Sequence, residues 1–295
     1  MKNMEKSKVY FTKDLTSASL VKMFDCLNTR LPGKVAVKLH SGEEGNQNYL
    51  RPEFVKDLIE HVGGTVVECN TAYDGARNTT KAHEKLMESH GWSKYFTVDI
   101  LDSESDTVLT NVNGTVIKKN YVGANMKNYD SMLMLSHFKG HPMGGFGGAI
   151  KNLSIGLASS KGKKYIHTSG NANASFEELM NADHDNFLRS MADAAKTITD
   201  CFGDKIVYIN VMVNLSVDCD CCAIAEDPCM PDIGILASLD PVALDQACVD
   251  IVYNSKALGH EKLIERIESR NGLLTIKSAE EQKIGSRKYE LINVD

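Results

Sequence analysis

The sequence lacks the features that direct a chain to a membrane or to nucleic acid. No stretch approaches the ~20 apolar residues of a membrane-spanning helix, and the first ten residues are charged where a signal peptide is apolar. The formal net charge is −6, so no basic field attracts nucleic acid or an anionic membrane. We therefore expect a cytoplasmic protein without a membrane or nucleic-acid partner.

Repeats, low-complexity tracts and the familiar nucleotide-binding motifs are also absent. No G-x-G-x-x-G pattern fits, because Ile150 stands where its last glycine belongs, and no glycine-lysine pair is followed by serine or threonine as in a phosphate-binding loop. The 295 residues are 42% hydrophobic and 24% charged, which is typical of globular proteins with one sizeable core or two modest ones.

Patterns typical of strands alternate with patterns typical of helices along most of the chain. Strand patterns cover 34–40, 65–70, 97–101, 131–136 and 205–215, and helix patterns cover 52–62, 81–90, 175–201, 241–253 and 260–270. This alternation predicts an α/β fold with a mostly parallel sheet and flanking helices. Asn113-Gly114 between two valine-rich runs predicts one antiparallel hairpin over 106–119. We expect a single domain over 1–295 or two intertwined lobes with a boundary near 130.

Half of the eight cysteines lie within residues 219–229, on a loop that follows a predicted strand. In a reducing compartment such thiols serve as metal ligands or nucleophiles. The spacing C-x-C-C-x6-C matches neither zinc ribbons nor bacterial ferredoxins. An iron–sulfur cluster of the 4Fe–4S type and a single iron, zinc or nickel ion all remain open, as do buried or redox-labile thiols without metal. The expected metal ligands are Cys219, Cys221, Cys222 and Cys229.

A second segment, 136–152, contains four glycines in five positions. Glycines let a backbone approach a ligand closely, and a helix starting near Ala149 would direct its N–H groups at an anion. The sequence thus predicts a site for a small anionic substrate or a cofactor, or else a flexible turn beside a buried strand. The expected catalytic residues are His141 and Lys151. The expected cofactor-binding residues are Lys139, Gly144, Gly145, Gly147, Gly148, Asn152 and His167.

Two further polar segments, 37–48 and 70–80, follow predicted strands. The first contains Lys38 and His40, and His40 is a third candidate for catalysis. A parallel sheet would bring both segments to the same edge as the glycine-rich segment. Each is also typical of a solvated or capping loop, because Asn, Thr, Asp and Gly favour turns.

Most of the chain resembles the prokaryotic domain-of-unknown-function family 362. The segments that carry the resemblance are 38–46, 70–77, 136–141, 147–152, the Asp-Cys-Asp-Cys loop and 232–245. Members are commonly described as iron–sulfur or cluster-associated proteins, often from anaerobes, and no settled reaction follows from membership. Many relatives carry a ferredoxin-type insertion that this chain lacks, so a cluster would have to use residues 219–229.

A shorter segment is similar to nickel-dependent lactate racemase. It consists of His141, Lys151 ten residues later and His167 sixteen residues beyond that. In that family the lysine is linked to the cofactor and a histidine ligates nickel, so the resemblance implies these roles for Lys151 and His167. We find no counterpart of that family's remaining catalytic histidine.

Three hypotheses about function follow. The first is a redox or metal-cofactor protein of anaerobic metabolism that binds a small anionic substrate or a redox partner protein. The second is an isomerase or racemase that uses His141 or His40 as general base. The third is a non-enzymatic metal or cluster carrier. The sequence leaves open whether the protein is an enzyme and whether it forms a homo-oligomer.

Overall fold

The computed structural model describes residues 6–295. Its strands are β1 (Ser7–Thr12), β2 (Val35–Lys38), β3 (Gly64–Glu68), β4 (Val98–Ile100), β5 (Asp106–Thr110), β6 (Lys119–Gly123), β7 (Ser131–His137), β8 (Lys139–His141), β9 (Gly145–Gly147), β10 (Ile206–Met212), β11 (Gly234–Ser238) and β12 (Tyr289–Asn293). Its helices are α1 (Ser17–Cys26), α2 (Pro52–His61), α3 (Thr80–Ser89), α4 (Trp92–Tyr95), α5 (Ala149–Lys151), α6 (Ser160–His167), α7 (Phe176–Met180), α8 (His184–Phe202), α9 (Pro241–Tyr253), α10 (His260–Ser269) and α11 (Leu273–Glu281). A 3₁₀ turn covers Ala124–Asn128, and a π-helical turn covers Asn152–Gly156.

One eight-stranded sheet has the order β12-β1-β11-β10-β7-β2-β3-β4. Strand β11 is antiparallel to both of its neighbours, and every other neighbouring pair in this sheet is parallel. Strands β5 and β6 form a separate antiparallel hairpin. The predicted α/β class with a mostly parallel sheet and one hairpin excursion is therefore confirmed.

Both faces of the sheet are covered, because successive side chains of a strand point to opposite sides. Along β7, Met132 and Met134 join a core with helices α8 and α9, whereas Leu133 and Leu135 join a second core with α1 and α2. This double burial explains why β7 has four consecutive apolar residues, 132–135, instead of an alternating pattern.

Two local predictions differ from the structure. The helix predicted over 175–201 is wrong, because the segment forms α7 and α8 with a break between them. Asp183 ends the break: its carboxylate accepts a hydrogen bond from the Asn186 backbone and caps α8. The glycine-rich segment also contains a short hairpin, β8–β9, in which His141 lies opposite Gly145.

None of the helices within residues 6–295 combines the length and the apolar character that crossing a membrane requires.

Candidate functional site

The segments that follow β2, β3, β7 and β10 meet at one edge of the sheet, where the carboxyl ends of parallel strands lie together. They enclose a cavity of about 170 Å³, whose wall includes residues from the glycine-rich segment, the 37–48 segment, the 70–80 segment and the cysteine loop. His40, Lys139, His141, Gly147, Gly148, Lys151, Asn152, His167 and Cys221 are among the lining residues. Most of the predicted site residues thus surround one cavity.

The cysteine loop supplies a compact group of potential metal ligands. The sulfurs of Cys219 and Cys221 and the Nε2 atom of His141 all lie within 4.8 Å of one another. Cys222 extends this group, because its thiol interacts with that of Cys221, and this interaction lowers the pKa of Cys222. The structure leaves Cys229 outside the group: its thiol donates to the Leu215 carbonyl at 3.2 Å.

Cys219 is buried and is the more acidic thiol of the sulfur pair. A hydrogen bond from the Cys221 thiol, together with the nearby Lys151 and Lys139, holds the pKa of Cys219 well below its ordinary value, although burial opposes this shift. The nitrogen of Lys151 lies 3.8 Å from the Cys219 sulfur. The same pairing, reinforced by burial, raises the pKa of Cys221. Of the two thiols, Cys219 is therefore the one that loses its proton first.

Asp220, between the two cysteines, anchors the loop to the end of β7. Its carboxylate accepts hydrogen bonds from Lys139 at 2.7 Å and from His137 Nδ1 at 2.9 Å. The other His137 nitrogen lies 2.6 Å from the Val213 carbonyl, so both ring nitrogens face hydrogen-bond acceptors. Burial opposes the charge on Asp220, but His137 and Lys139 hold its pKa well below the ordinary value.

His141 presents a proton to the sulfur pair. Its Nδ1 atom accepts hydrogen bonds from the backbone N–H groups of Gly144 at 2.8 Å and Met143 at 3.2 Å. Burial and the Lys151 charge lower the pKa of His141 to about 4, so the ring is neutral at pH 7 and its proton is on Nε2. Nε2 lies 3.9 Å from the Cys221 sulfur.

His167 has the opposite tautomer. Its Nδ1 atom donates to the Lys163 carbonyl at 2.7 Å, which leaves Nε2 without a proton. Burial lowers the pKa of His167 to about 4, and the ring is stacked on Phe187 with centroids 4.5 Å apart. Since an imidazole binds metals or accepts protons through a bare nitrogen, His167 offers such an atom at the cavity wall.

The predicted anion site at the start of α5 is wrong, because an internal carboxylate already occupies it. Asp245 accepts hydrogen bonds from the backbone N–H groups of Ala149 at 2.8 Å and Ile150 at 2.9 Å, and from the Asn210 side chain at 2.7 Å. A Cβ atom on Gly148 would lie 2.4 Å from Asp245 Oδ1, so this glycine permits the close approach.

The other glycines of this segment differ in their surroundings. Gly147 lines the cavity, and a Cβ atom there would make only ordinary contact with Lys151 at 3.6 Å. A Cβ atom on Gly145, whose φ is +78°, would lie 3.0 Å from Gly272. A Cβ atom on Gly144 would lie 3.3 Å from the Phe146 carbonyl oxygen. Neither Gly144 nor Gly145 is among the residues that line the cavity.

Asn152, in the π-helical turn, ties together the two strands below the cavity. Its amide donates to the Lys38 carbonyl at 3.2 Å and to the Ser136 hydroxyl at 3.1 Å. Within the described residues Asn152 therefore positions strand ends, and it lies beside Lys151 on the cavity wall.

Two buried ion pairs form the far wall. Lys38 contacts Glu68 at 2.8 Å, and Arg77 contacts Glu43 at 3.1 Å. His40 lies between them: Nδ1 accepts from the Gly42 backbone at 3.1 Å, and Arg77 is 3.4 Å from Nε2. Burial and Arg77 lower the pKa of His40 well below its ordinary value. The ring is therefore neutral.

Sequence reasoning did not identify Glu68 or Lys163 as part of this site. Glu68 ends the otherwise apolar strand β3, and a charge closing a buried strand was a usable signal. Lys163 lies on α6, where its nitrogen donates to the Ala158 carbonyl at 2.6 Å. Lysines are common on helices, so the sequence contains no signal that would have selected this one.

The model of a family described as "Domain of unknown function (DUF362)" matches residues 35–250. No curated protein matches the chain. Among solved structures, the lactate racemase apoprotein from Thermoanaerobacterium thermosaccharolyticum aligns over 84% of this chain with 12% identity and a TM-score of 0.45. A protein from Thermotoga maritima aligns over 90% with 11% identity and a TM-score of 0.43. This chain spans 58% of the length of each.

Proposed function

This chain belongs to domain-of-unknown-function family 362, and from its site we propose that it is an enzyme that acts on a small anionic substrate beside a soft metal ion held by Cys219 and Cys221. One observation carries the proposal. Two sulfurs and an imidazole nitrogen lie within 4.8 Å of one another at the wall of a cavity that is also lined by lysine and arginine side chains.

The donor set selects the metal class. Thiolate sulfur binds zinc, nickel, copper(I) or iron and discriminates against magnesium and calcium. Cys219, whose pKa is lowered, gives up its proton readily to a metal ion, and metal binding would also remove the Cys221 proton. The bound metal would supply Lewis acidity or a change of redox state.

His141 fits the role of proton donor better than that of metal ligand. Two backbone N–H groups occupy its Nδ1 lone pair, so ligation through Nε2 would leave a ring with no proton at all. In the tautomer that the backbone holds, Nε2 donates a hydrogen bond to sulfur or to a bound anion. His167, with its bare Nε2, lies outside the compact group of sulfurs and His141 and is the better candidate for a base.

A catalytic site is better supported than a structural one. Structural zinc sites close four protein ligands around the ion, whereas catalytic sites keep a position open for water or substrate. Within residues 6–295 the compact group contains two cysteines and one histidine, and Cys221 and His141 both line the cavity. A small molecule in the cavity would therefore reach the metal.

The charges around the cavity favour an anion. Lys38, Arg77, Lys139, Lys151 and Lys163 line it. Their carboxylate partners are Glu68, Glu43 and Asp220. The positive charges thus exceed the carboxylates. An anionic ligand would complete the balance in a buried setting where unpaired charge is costly.

The experiment that tests the metal is anaerobic purification followed by elemental analysis for iron, nickel and zinc and assay of acid-labile sulfide. We expect about one metal ion per chain, no sulfide, and loss of the metal in Cys219→Ser/Cys221→Ser. Cys201→Ser, which changes an exposed cysteine, is the matched control. Metal that persists in the double variant would contradict the proposal.

The same analysis decides the iron–sulfur alternative. A 4Fe–4S cluster is held by four cysteine thiolates, and Cys229 instead donates to a backbone carbonyl outside the group. A four-cysteine cluster would therefore require the 222–229 segment to rearrange. If the protein contains iron and sulfide, and if both are lost in Cys229→Ser as they are in the double variant, the centre is an iron–sulfur cluster and the proposal of a single metal ion is wrong.

A second candidate function, an isomerase or racemase, is favoured by one specific observation. His141 and His167 are both neutral, line the same cavity and hold opposite tautomers, so one can donate a proton and the other can accept one. Their spacing with Lys151 resembles that of lactate racemase, which implies a lysine-linked cofactor. Added mass on Lys151 in the intact protein would favour this candidate, and an unmodified lysine would exclude a tethered cofactor.

A further inference from the structure

One wall of the cavity is apolar, in contrast to its charged interior. Phe176, Leu179 and Met180 of α7 line it, together with Met143 and Ile155 from the glycine-rich segment and the π-helical turn. Lys38, Arg77, Lys139 and Lys163 are buried and Lys151 is half-buried. In contrast, Phe176 is 60% and Met180 57% exposed. The apolar wall is therefore at the mouth of the cavity, and the charges are at its inner end.

The exposed side chains of α7 are held in place. Ser175 and Glu178 form a reciprocal capping box, in which the Glu178 carboxylate accepts from the Ser175 backbone at 2.7 Å and the Ser175 hydroxyl accepts from the Glu178 backbone at 3.2 Å. Phe176 and Met180 are four residues apart and lie on one face of the helix. Leu179, which is buried, fixes α7 to the rest of the chain.

The inner end of the cavity suits a carboxylate head group. Five cationic side chains line the cavity and three carboxylates pair with three of them, so within residues 6–295 Lys151 and Lys163 make no salt bridge. A carboxylate has two oxygens that accept charge-assisted hydrogen bonds, so it can pair with these ammonium groups. A polar head at the inner end places the rest of the molecule against the apolar mouth.

We infer that the substrate is a monocarboxylic acid with an apolar tail, whose carboxylate lies among Lys139, Lys151 and Lys163 and whose tail packs against Phe176 and Met180. The inference rests on the proposed function and specifies its substrate class. It explains why two large apolar side chains at the cavity stay exposed while most of the chain's other large apolar side chains are buried.

The test is a titration of the intact protein, whose metal content has been measured, with acetate, butyrate and hexanoate. Binding is monitored by the NMR chemical shifts of the backbone amides. Each buried methylene strengthens binding about four-fold, so affinity should rise along the series. In Phe176→Ala/Met180→Ala the gain in binding free energy for each added methylene should be less than half of the gain in wild type. Acetate, which has no tail, should bind the variant and wild type equally. Both replaced side chains are exposed, so the variant keeps the fold.

Ile224→Ala is the matched control, because Ile224 is 92% exposed on the cysteine loop and does not line the cavity. Equal affinities for the three acids, or a rise that persists in the α7 variant, would overturn the inference while acetate binding still supports the anion site. Failure of all three acids to bind would overturn the anion site and with it this inference. Metal content, measured on the same samples, reports separately on Cys219 and Cys221.

Discussion

The ammonium nitrogen of Lys151 lies 3.8 Å from the sulfur of Cys219, and this contact joins the glycine-rich segment to the cysteine loop. The two residues are 68 positions apart in the chain. In a buried setting an ammonium group favours the charged form of a thiol, because the local dielectric constant is low and water does not screen the pair. The contact therefore prepares Cys219 for metal binding or for nucleophilic chemistry.

Replacing Lys151 should make the Cys219 thiol harder to ionise. In metal-free Lys151→Met we expect the midpoint of thiolate absorbance to move up by about one pH unit or more, because one of the charges that stabilise the thiolate is gone. Lys164→Met, which removes a lysine outside the cavity wall, is the control. An unchanged midpoint in Lys151→Met would show that Lys151 does not contribute to the lowered pKa of Cys219.

Removing the Asp220 carboxylate should destabilise the fold strongly. Asp220→Ala leaves Lys139 and His137 buried without their counter-charge, which costs about 3–5 kcal/mol of unfolding free energy. Asp218→Ala, on the same loop, removes a partly exposed pair with Arg266 and should cost about 1 kcal/mol or less. Urea unfolding of the two metal-free variants makes the comparison. Equal losses would mean that the buried triad adds nothing.

Two neighbouring glycines should differ sharply in their tolerance of a methyl group. Gly148→Ala places a Cβ atom 2.4 Å from Asp245 Oδ1 and displaces the carboxylate that caps α5, whereas Gly147→Ala meets Lys151 at 3.6 Å. We expect a loss of about 2 kcal/mol or more for Gly148→Ala, because buried N–H groups lose their acceptor. For Gly147→Ala we expect less than about 1 kcal/mol. The unfolding midpoints of both variants, measured side by side, decide the matter.

The pH dependence of stability should contain opposite contributions from two buried aspartates. Burial raises the pKa of Asp245 to about 6. Between pH 6 and the ordinary pKa of an aspartate, Asp245 is protonated in the folded state but not in the unfolded state, so the folded state gains stability as the pH falls. The pKa of Asp220 is lowered in the folded state, so the stability that its carboxylate adds is lost only as the pH falls below the ordinary pKa of an aspartate.

Asp245→Asn isolates the first contribution. The amide does not titrate, so the variant should lack the gain in unfolding free energy between about pH 6 and pH 4 that wild type shows. Asp232→Asn, at an exposed position, should keep it. If the unfolding free energies of wild type and Asp245→Asn change in the same way as the pH is lowered from 6 to 4, the pKa of Asp245 is not raised.

The opposite tautomers of two histidines can be observed directly. In metal-free protein at pH 7, nitrogen-15 NMR should find the proton of His141 on Nε2 and the proton of His167 on Nδ1. Because burial lowers both pKa values to about 4, neither ring should become charged until the pH approaches that value. A His141 ring protonated on Nδ1 would instead restore Nε2 as a metal ligand.

Local sequence patterns were sufficient to predict the class of the fold. Periods of two and 3.6 residues separated strands from helices, and the alternation of the two implied parallel pairing. Parallel strands have their carboxyl ends on one edge, which is why the segments after β2, β3, β7 and β10 could be expected to meet there. The break between α7 and α8 escaped detection, because residues 181–183 include neither glycine nor proline, and the helix is interrupted there by the Asp183 cap of α8.

The cysteine-rich loop and the glycine-rich segment were also visible in the sequence by itself, through clustering of residue types that chemistry uses. Only the tertiary structure decided what each residue does there. It directed Cys229 to a backbone carbonyl, placed Asp245 from 96 positions away at the start of α5, and gave His141 and His167 opposite tautomers. Hydrogen-bond partners and pKa values depend on atoms distant in the chain and on burial, and neither is encoded in local spacing.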